Sequence, residues 1–176
     1  MTDAGGTERT LVLLRHAKAE PPGDDRDADR QLTARGHADA VAAGAWLARH
    51  GLLPDVVFCS PARRTRETWH GVALGMTGST DEAGPAGTSP AVRHEPGVYE
   101  ASPVELLALV RSAPPEATTV LLIAHNPGVS LLSALLDPER ADQQGIRTAG
   151  LVVHRTRLRW ADLRHADITA RHTERG

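Results

Sequence analysis

The run TTVLLIAH, residues 118 to 125, restricts the fold more than any other stretch of the chain: its aliphatic core is unbroken, with polar residues only at its ends. Such a run suits a strand buried within a sheet. RTLVLL (9 to 14) and DVVFC (55 to 59) have the same character, AVRHE (91 to 95) is a weaker example, and AGLVVHRT (149 to 156) follows near the end. Helical patterns separate these five strands. From Ala34 to His50, residues Ala40, Val41, Gly44, Leu47 and Ala48 form one apolar face, with Thr33 as N-cap and Gly51 as the stop. SPVELLALVRSAPP places Ser102 as cap, Pro103 at the first position and Glu105 in a capping box. Ser60-Pro61 and Asn126-Pro127 are expected to open two further helices in the same way. Strands alternating with helices predict an α/β sandwich with a mostly parallel sheet.

All 176 residues fit one domain with a single sizeable core. Residues 1 to 8 and 170 to 176 are expected to fray, and the Gly-, Ser- and Thr-rich segment 75 to 90 to form a mobile loop. A net charge of -2 provides no global field to recruit nucleic acid or an anionic membrane. No apolar run approaches membrane-spanning length and the N-terminal MTDAGGTE is unlike a signal peptide, so a cytoplasmic location is expected. The oligomeric state is not legible. Cys59 is the only cysteine, which rules out an intramolecular disulfide and zinc-ribbon spacings.

Function is concentrated where the strands end. The first ends in Arg15-His16, the second in Cys59-Ser60-Pro61 and the strongest in His125-Asn126-Pro127. If these strands are parallel neighbours, all three deposit polar groups along one carboxyl edge, where open α/β sheets bind ligands. Two of the ends also begin helices, whose free N–H groups favour an anion. Taken singly, His16 reads as a loop histidine, His125 as a core histidine, and Arg63, Arg64 and Arg66 as a solvated helix face. Their coincidence at one sheet edge points to a doubly negative ligand, and phosphate fits best. A cysteine phosphatase loop is rejected: the arginine that must follow Cys59 after five residues falls on Thr65. No Gly-x-x-x-x-Gly-Lys-Ser/Thr loop and no His-Glu-x-x-His motif occurs, and arginines beside the two histidines would repel a divalent cation.

RHAKAE, DRQLTARGHADAVAAGAWL, VVFCSPARRTRETW, VYEASPVELLALV and VLLIAHNPGVSLLSALL together resemble the histidine phosphatase superfamily, most closely its SixA-type phosphohistidine phosphatases. The likeness spans roughly residues 10 to 155, with Ala17 where the superfamily mark Arg-His-Gly has glycine. It implies a phosphoglycerate mutase-like fold, a three-layer α/β/α sandwich. It implies that His16 is the nucleophile, that Arg15 and Arg64 clamp the phosphate, and that His125 is the second phosphate-binding histidine. Thr68 matches the threonine of the Ser-Pro-x-x-Arg-x-x-x-Thr pattern, and Arg63 has no counterpart. Ser60 and Asn126 are expected at the phosphate. Glu100 is the candidate proton donor and Glu95 the second choice. The chemistry needs no metal and no organic cofactor. Expected partners are a protein carrying phosphohistidine or a small phosphorylated molecule, and the rival from another class is a non-catalytic phosphate-binding module.

Overall fold

The computed structural model describes residues 6–77, 90–164 and 169–173. Strands β1 (Arg9–Arg15), β2 (Val56–Cys59), β3 (Ala91–His94), β4 (Thr119–Ala124), β5 (Leu151–Thr156) and β6 (Thr169–Thr173) form one sheet in the order β3-β2-β4-β1-β5-β6. The first four strands in that order run parallel; β5 is antiparallel to β1, and β6 to β5. β6 is a correction, because the sequence pointed to fraying from residue 170. Its segment, TARHT, lacks the aliphatic run that marks the other strands.

Alternation along the central strands sorts the core into two faces. Leu11 and Leu13 of β1 join Phe58, Val120 and Leu122 on the side packed by helices α3 (Pro103–Arg111) and α4 (Gly128–Leu136). Val12 and Leu14 join Val57, Leu121 and Ile123 on the side packed by α1 (Ala34–Arg49) and α2 (Arg63–Thr77). The result is a three-layer α/β/α sandwich of the phosphoglycerate mutase-like kind. The caps of α1 and α3 follow the sequence: Thr33 accepts from the Gly36 N–H, and Ser102 and Glu105 form a complete capping box.

Three boundaries differ from expectation. Helix α2 continues through Gly75 to Thr77, into the segment read as loop. A Cβ at Gly75 would lie 2.0 Å from the Val41 carbonyl oxygen, so this glycine is a close helix-packing position rather than a breaker. The rest of the expected loop, 78 to 89, lies outside the described residues. Helix α2 begins at Arg63, not at Pro61, and α4 begins at Gly128, with Pro127 as its cap and no side-chain capping bond.

Candidate active site

Strands β1, β4 and β2 end side by side, with Arg15 in register with Ala124 and Cys59 with Ile123. His16, His125 and Ser60 therefore leave one sheet edge together, and the rings of His16 and His125 lie 5.3 Å apart. Both histidines are largely buried, at 9% and 8% exposure.

His16 is held at its backbone and at its ring. Its N–H donates to the Ala124 carbonyl and its own carbonyl accepts from Ala149. Nδ1 lies 2.7 Å from the Ala17 carbonyl oxygen. A carbonyl can only accept, so Nδ1 carries the ring proton and Nε2 keeps its lone pair. Burial pushes the His16 pKa down to about 4, against the pull of the Ala17 carbonyl and with the charges of Arg64 and Arg15 adding to the fall. The turn after His16 is tied to α2: the Ala17 N–H donates to Thr68 Oγ1, which donates to the Arg64 carbonyl.

Arg64 is 6% exposed and is gripped by its terminal nitrogens. Nη1 donates to the Asp27 carbonyl at 2.7 Å and Nη2 to Asp27 Oδ2 at 3.0 Å. Tyr99 donates its hydroxyl to the same Oδ2, and Arg30 donates to Oδ1. These donors hold the Asp27 carboxyl well below the usual carboxylate range, the Tyr99 bond contributing most. Sequence reasoning missed Asp27. Arg63, one position away, faces outward and donates to Glu67 and Gln31.

Arg15 donates from Nη1 to the Ile146 carbonyl, which also accepts from Asn126 Nδ2. Asn126 accepts in turn from the Ser130 hydroxyl, so its amide is engaged at both ends. Expected as a cap, it instead props the carbonyl that holds Arg15, and it lines the cleft described below. Ser60 is fully buried beside His125, its Oγ 2.7 Å from Nε2. Burial, with the Arg64 charge second, pushes the His125 pKa down to about 3.

Three buried nitrogens of this cluster have no protein partner: Arg15 Nε, Arg64 Nε and His125 Nδ1. Buried polar groups are nearly always paired. Unpaired N–H groups on guanidinium and imidazole side chains are the donor types that the oxygens of an anion satisfy. A cleft of about 500 Å³ reaches Arg64, His125 and Asn126 and is also lined by Asp27, Tyr99, Glu100 and Glu105; His16, Arg15, Ser60 and Glu95 are not among its lining residues. Cys59 is buried, and burial pushes its thiol up to about 12, so it holds no thiolate for attack. Among the described residues, no group of three or more His, Cys, Asp or Glu side chains could hold a metal ion, and no helix is long and apolar enough to cross a membrane.

The family model for the histidine phosphatase superfamily (branch 1) matches residues 11–83. A solved structure of a candidate phosphohistidine phosphatase SixA from Nakamurella multipartitia is 35% identical, covers 94% of this chain and 96% of its own, and superposes with a TM-score of 0.72. A second candidate SixA structure, from Agrobacterium tumefaciens, is 27% identical over 93% and 98% of the two chains, with a TM-score of 0.73. An uncharacterised protein of Mycobacterium tuberculosis is 32% identical over 85% of this chain and 91% of its own. The chain belongs to the histidine phosphatase superfamily. Its SixA-type character accounts for the order of motifs along the chain, and these relatives support phosphatase activity. In this histidine phosphatase, Ala17 takes the place of the superfamily glycine, is fully buried, and supplies the carbonyl that orients the His16 ring.

Proposed function

We propose that the protein is a metal-independent phosphatase that passes a phosphoryl group to His16 Nε2 and then to water, acting on phosphohistidine in a partner protein. The observation that carries this reading is the His16 ring itself: its proton is pinned on Nδ1 by the Ala17 carbonyl and burial keeps it neutral, which leaves Nε2 nucleophilic among three unpaired buried nitrogens. A transferring phosphoryl group spreads charge over three oxygens, so positioning and electrostatic stabilisation do most of the work. Arg15 and Arg64 supply guanidinium N–H groups, and His125 supplies an imidazole N–H.

In the first step the Nε2 lone pair forms a bond to phosphorus as the bond to the leaving nitrogen breaks, its electron pair departing with the leaving imidazole. When that imidazole is protonated on its other nitrogen it leaves neutral, and the positive charge moves to His16, whose Nδ1–H stays on the Ala17 carbonyl. Water then attacks phosphorus, the P–N bond breaks, its pair returns to Nε2, and the water proton passes to solvent.

The cleft favours such a leaving group. Beyond Arg64, its charged lining is acidic: Asp27, Glu100 and Glu105. A substrate bearing a second phosphate or a carboxylate meets repulsion there, whereas a protonated imidazole does not. The candidate SixA names of the two structural relatives point the same way. The second reading, a small phosphate ester, draws on Glu100, whose place on the cleft wall suits a proton donor to an alkoxide.

Phosphate release from a phosphohistidine protein, an aryl phosphate and a phosphoglycerate, each with and without chelator, tests the proposal. Turnover is expected to be fastest on phosphohistidine and indifferent to chelator. Preference for phosphoglycerate would overturn the substrate, loss in chelator would overturn the metal-free chemistry, and phosphate binding without any turnover would leave a binding module.

A further inference from the structure

Ser60 ends the aliphatic run of β2 and is fully buried, so its hydroxyl must be satisfied within the protein. Two partners meet Oγ: the Ala62 N–H at 3.3 Å and His125 Nε2 at 2.7 Å. An amide can only donate, so Oγ accepts from Ala62. The hydroxyl proton then needs an acceptor, because leaving a buried donor unpaired costs about 1–3 kcal/mol. The acceptor within reach is His125 Nε2. A neutral imidazole carries one proton, and if Nε2 accepts, that proton is on Nδ1. Nδ1 is the buried nitrogen of this ring that has no protein partner.

We infer that Ser60 is a positioning residue that fixes His125 in its Nδ1–H tautomer, so that the ring offers the phosphoryl group a neutral hydrogen-bond donor. This rests on the reading of His125 as a phosphate-binding group. The device matters because of what stands next to it. His16 becomes positively charged when it takes the phosphoryl group, and its ring lies 5.3 Å from that of His125. An imidazolium at His125 would oppose that charge, whereas a neutral N–H donor stabilises the phosphoryl oxygens without opposing it. Burial and the Arg64 charge act in the same direction by keeping His125 neutral. Ser60 therefore acts on catalysis from behind His125, without touching the substrate.

Long-range ¹H–¹⁵N spectra of histidine-labelled protein at neutral pH report which ring nitrogen holds each proton, and His125→Gln assigns the signal. In the wild type His125 is expected to be protonated on Nδ1 and bare on Nε2, and Ser60→Ala should move proton occupancy to Nε2. Wild-type protein with the proton on Nε2, or on both nitrogens, overturns the inference, as does an unchanged tautomer in Ser60→Ala. The spectrum needs no substrate, so it stands apart from any failure of the phosphatase reading. On phosphohistidine substrate, Ser60→Ala should lower kcat/KM by up to ~10²-fold, the scale of losing one transition-state donor, and Ser60→Thr, which keeps the hydroxyl, should restore most of it. If Ser60→Ala does not fold, the wild-type spectrum decides.

Discussion

Lowering the pH from 7 to 5 should destabilise this protein through its two site histidines, by an amount their burial sets. Burial pushes the pKa of His16 down to about 4 and that of His125 to about 3. In the unfolded chain both titrate near ~6.5. The unfolded state therefore binds more protons throughout the interval, and stability is complete above pH ~6.5 and falls as the pH drops toward the folded values. Each histidine contributes ~1.4 kcal/mol per pH unit between ~6.5 and 5, or ~2 kcal/mol, and the pair ~4 kcal/mol. That is a large share of a typical domain stability of about 5–15 kcal/mol. The Asp27 carboxyl, held low by Tyr99, Arg30 and Arg64, adds no slope here, because its unfolded counterpart titrates near ~3.9, below the interval. Urea unfolding at the two pH values measures the loss. His16→Gln should remove about half of the loss due to this pair, and His16→Gln with His125→Gln nearly all of it; the other histidines cancel in the difference. A variant whose stability falls with pH as steeply as the wild type would refute the claim that His16 is held neutral, and with it the basis for its nucleophilicity.

Three other outcomes follow from the geometry. Arg64→Ala should lower kcat/KM by ~10²-fold or more, the scale of losing a transition-state clamp, while Arg63→Ala, bonded outward to Glu67 and Gln31, should cost little; steady-state kinetics of the two variants check this. Asp27→Asn keeps the backbone carbonyl on Arg64 Nη1 but removes the carboxylate facing Nη2 and leaves a buried guanidinium without its ion-pair partner, so both the urea midpoint and kcat/KM should fall. Glu100→Gln should slow alkyl phosphate hydrolysis, where general-acid help contributes ~10² to 10⁴-fold, far more than phosphohistidine hydrolysis; equal losses on both substrates would make Glu100 structural.

What the sequence discloses and conceals divides along physical lines. An aliphatic run that ends abruptly in Arg15-His16, or in His125-Asn126, announces both the strand and the residues it delivers, because polar groups inside a buried sheet would be costly. Helix caps are similarly local, as the Ser102–Glu105 box shows. Side-chain partners across the fold are not local. Four aspartates stand between residues 24 and 29, and nothing in their order marks Asp27 as the one that meets Arg64, 37 residues away. Ser60 carried a legible signal, Ser-Pro before a helix, but the helix starts three residues later and the hydroxyl serves His125. Asn126 was misread for the same reason: a capping sequence whose side chain is claimed by Ile146 and Ser130. Gly75 marked a close packing contact rather than an end, a distinction that depends on where α1 lies.

The measurement that bears most directly on this account is rapid-quench trapping of the phosphorylated enzyme with ³²P-labelled phosphohistidine protein. A phosphoramidate on His16 predicts label that survives alkali, is lost in acid, maps to the peptide containing Arg15 and His16, and is absent from His16→Gln. Acid-stable label, label on another residue, or turnover that persists in His16→Gln would contradict it.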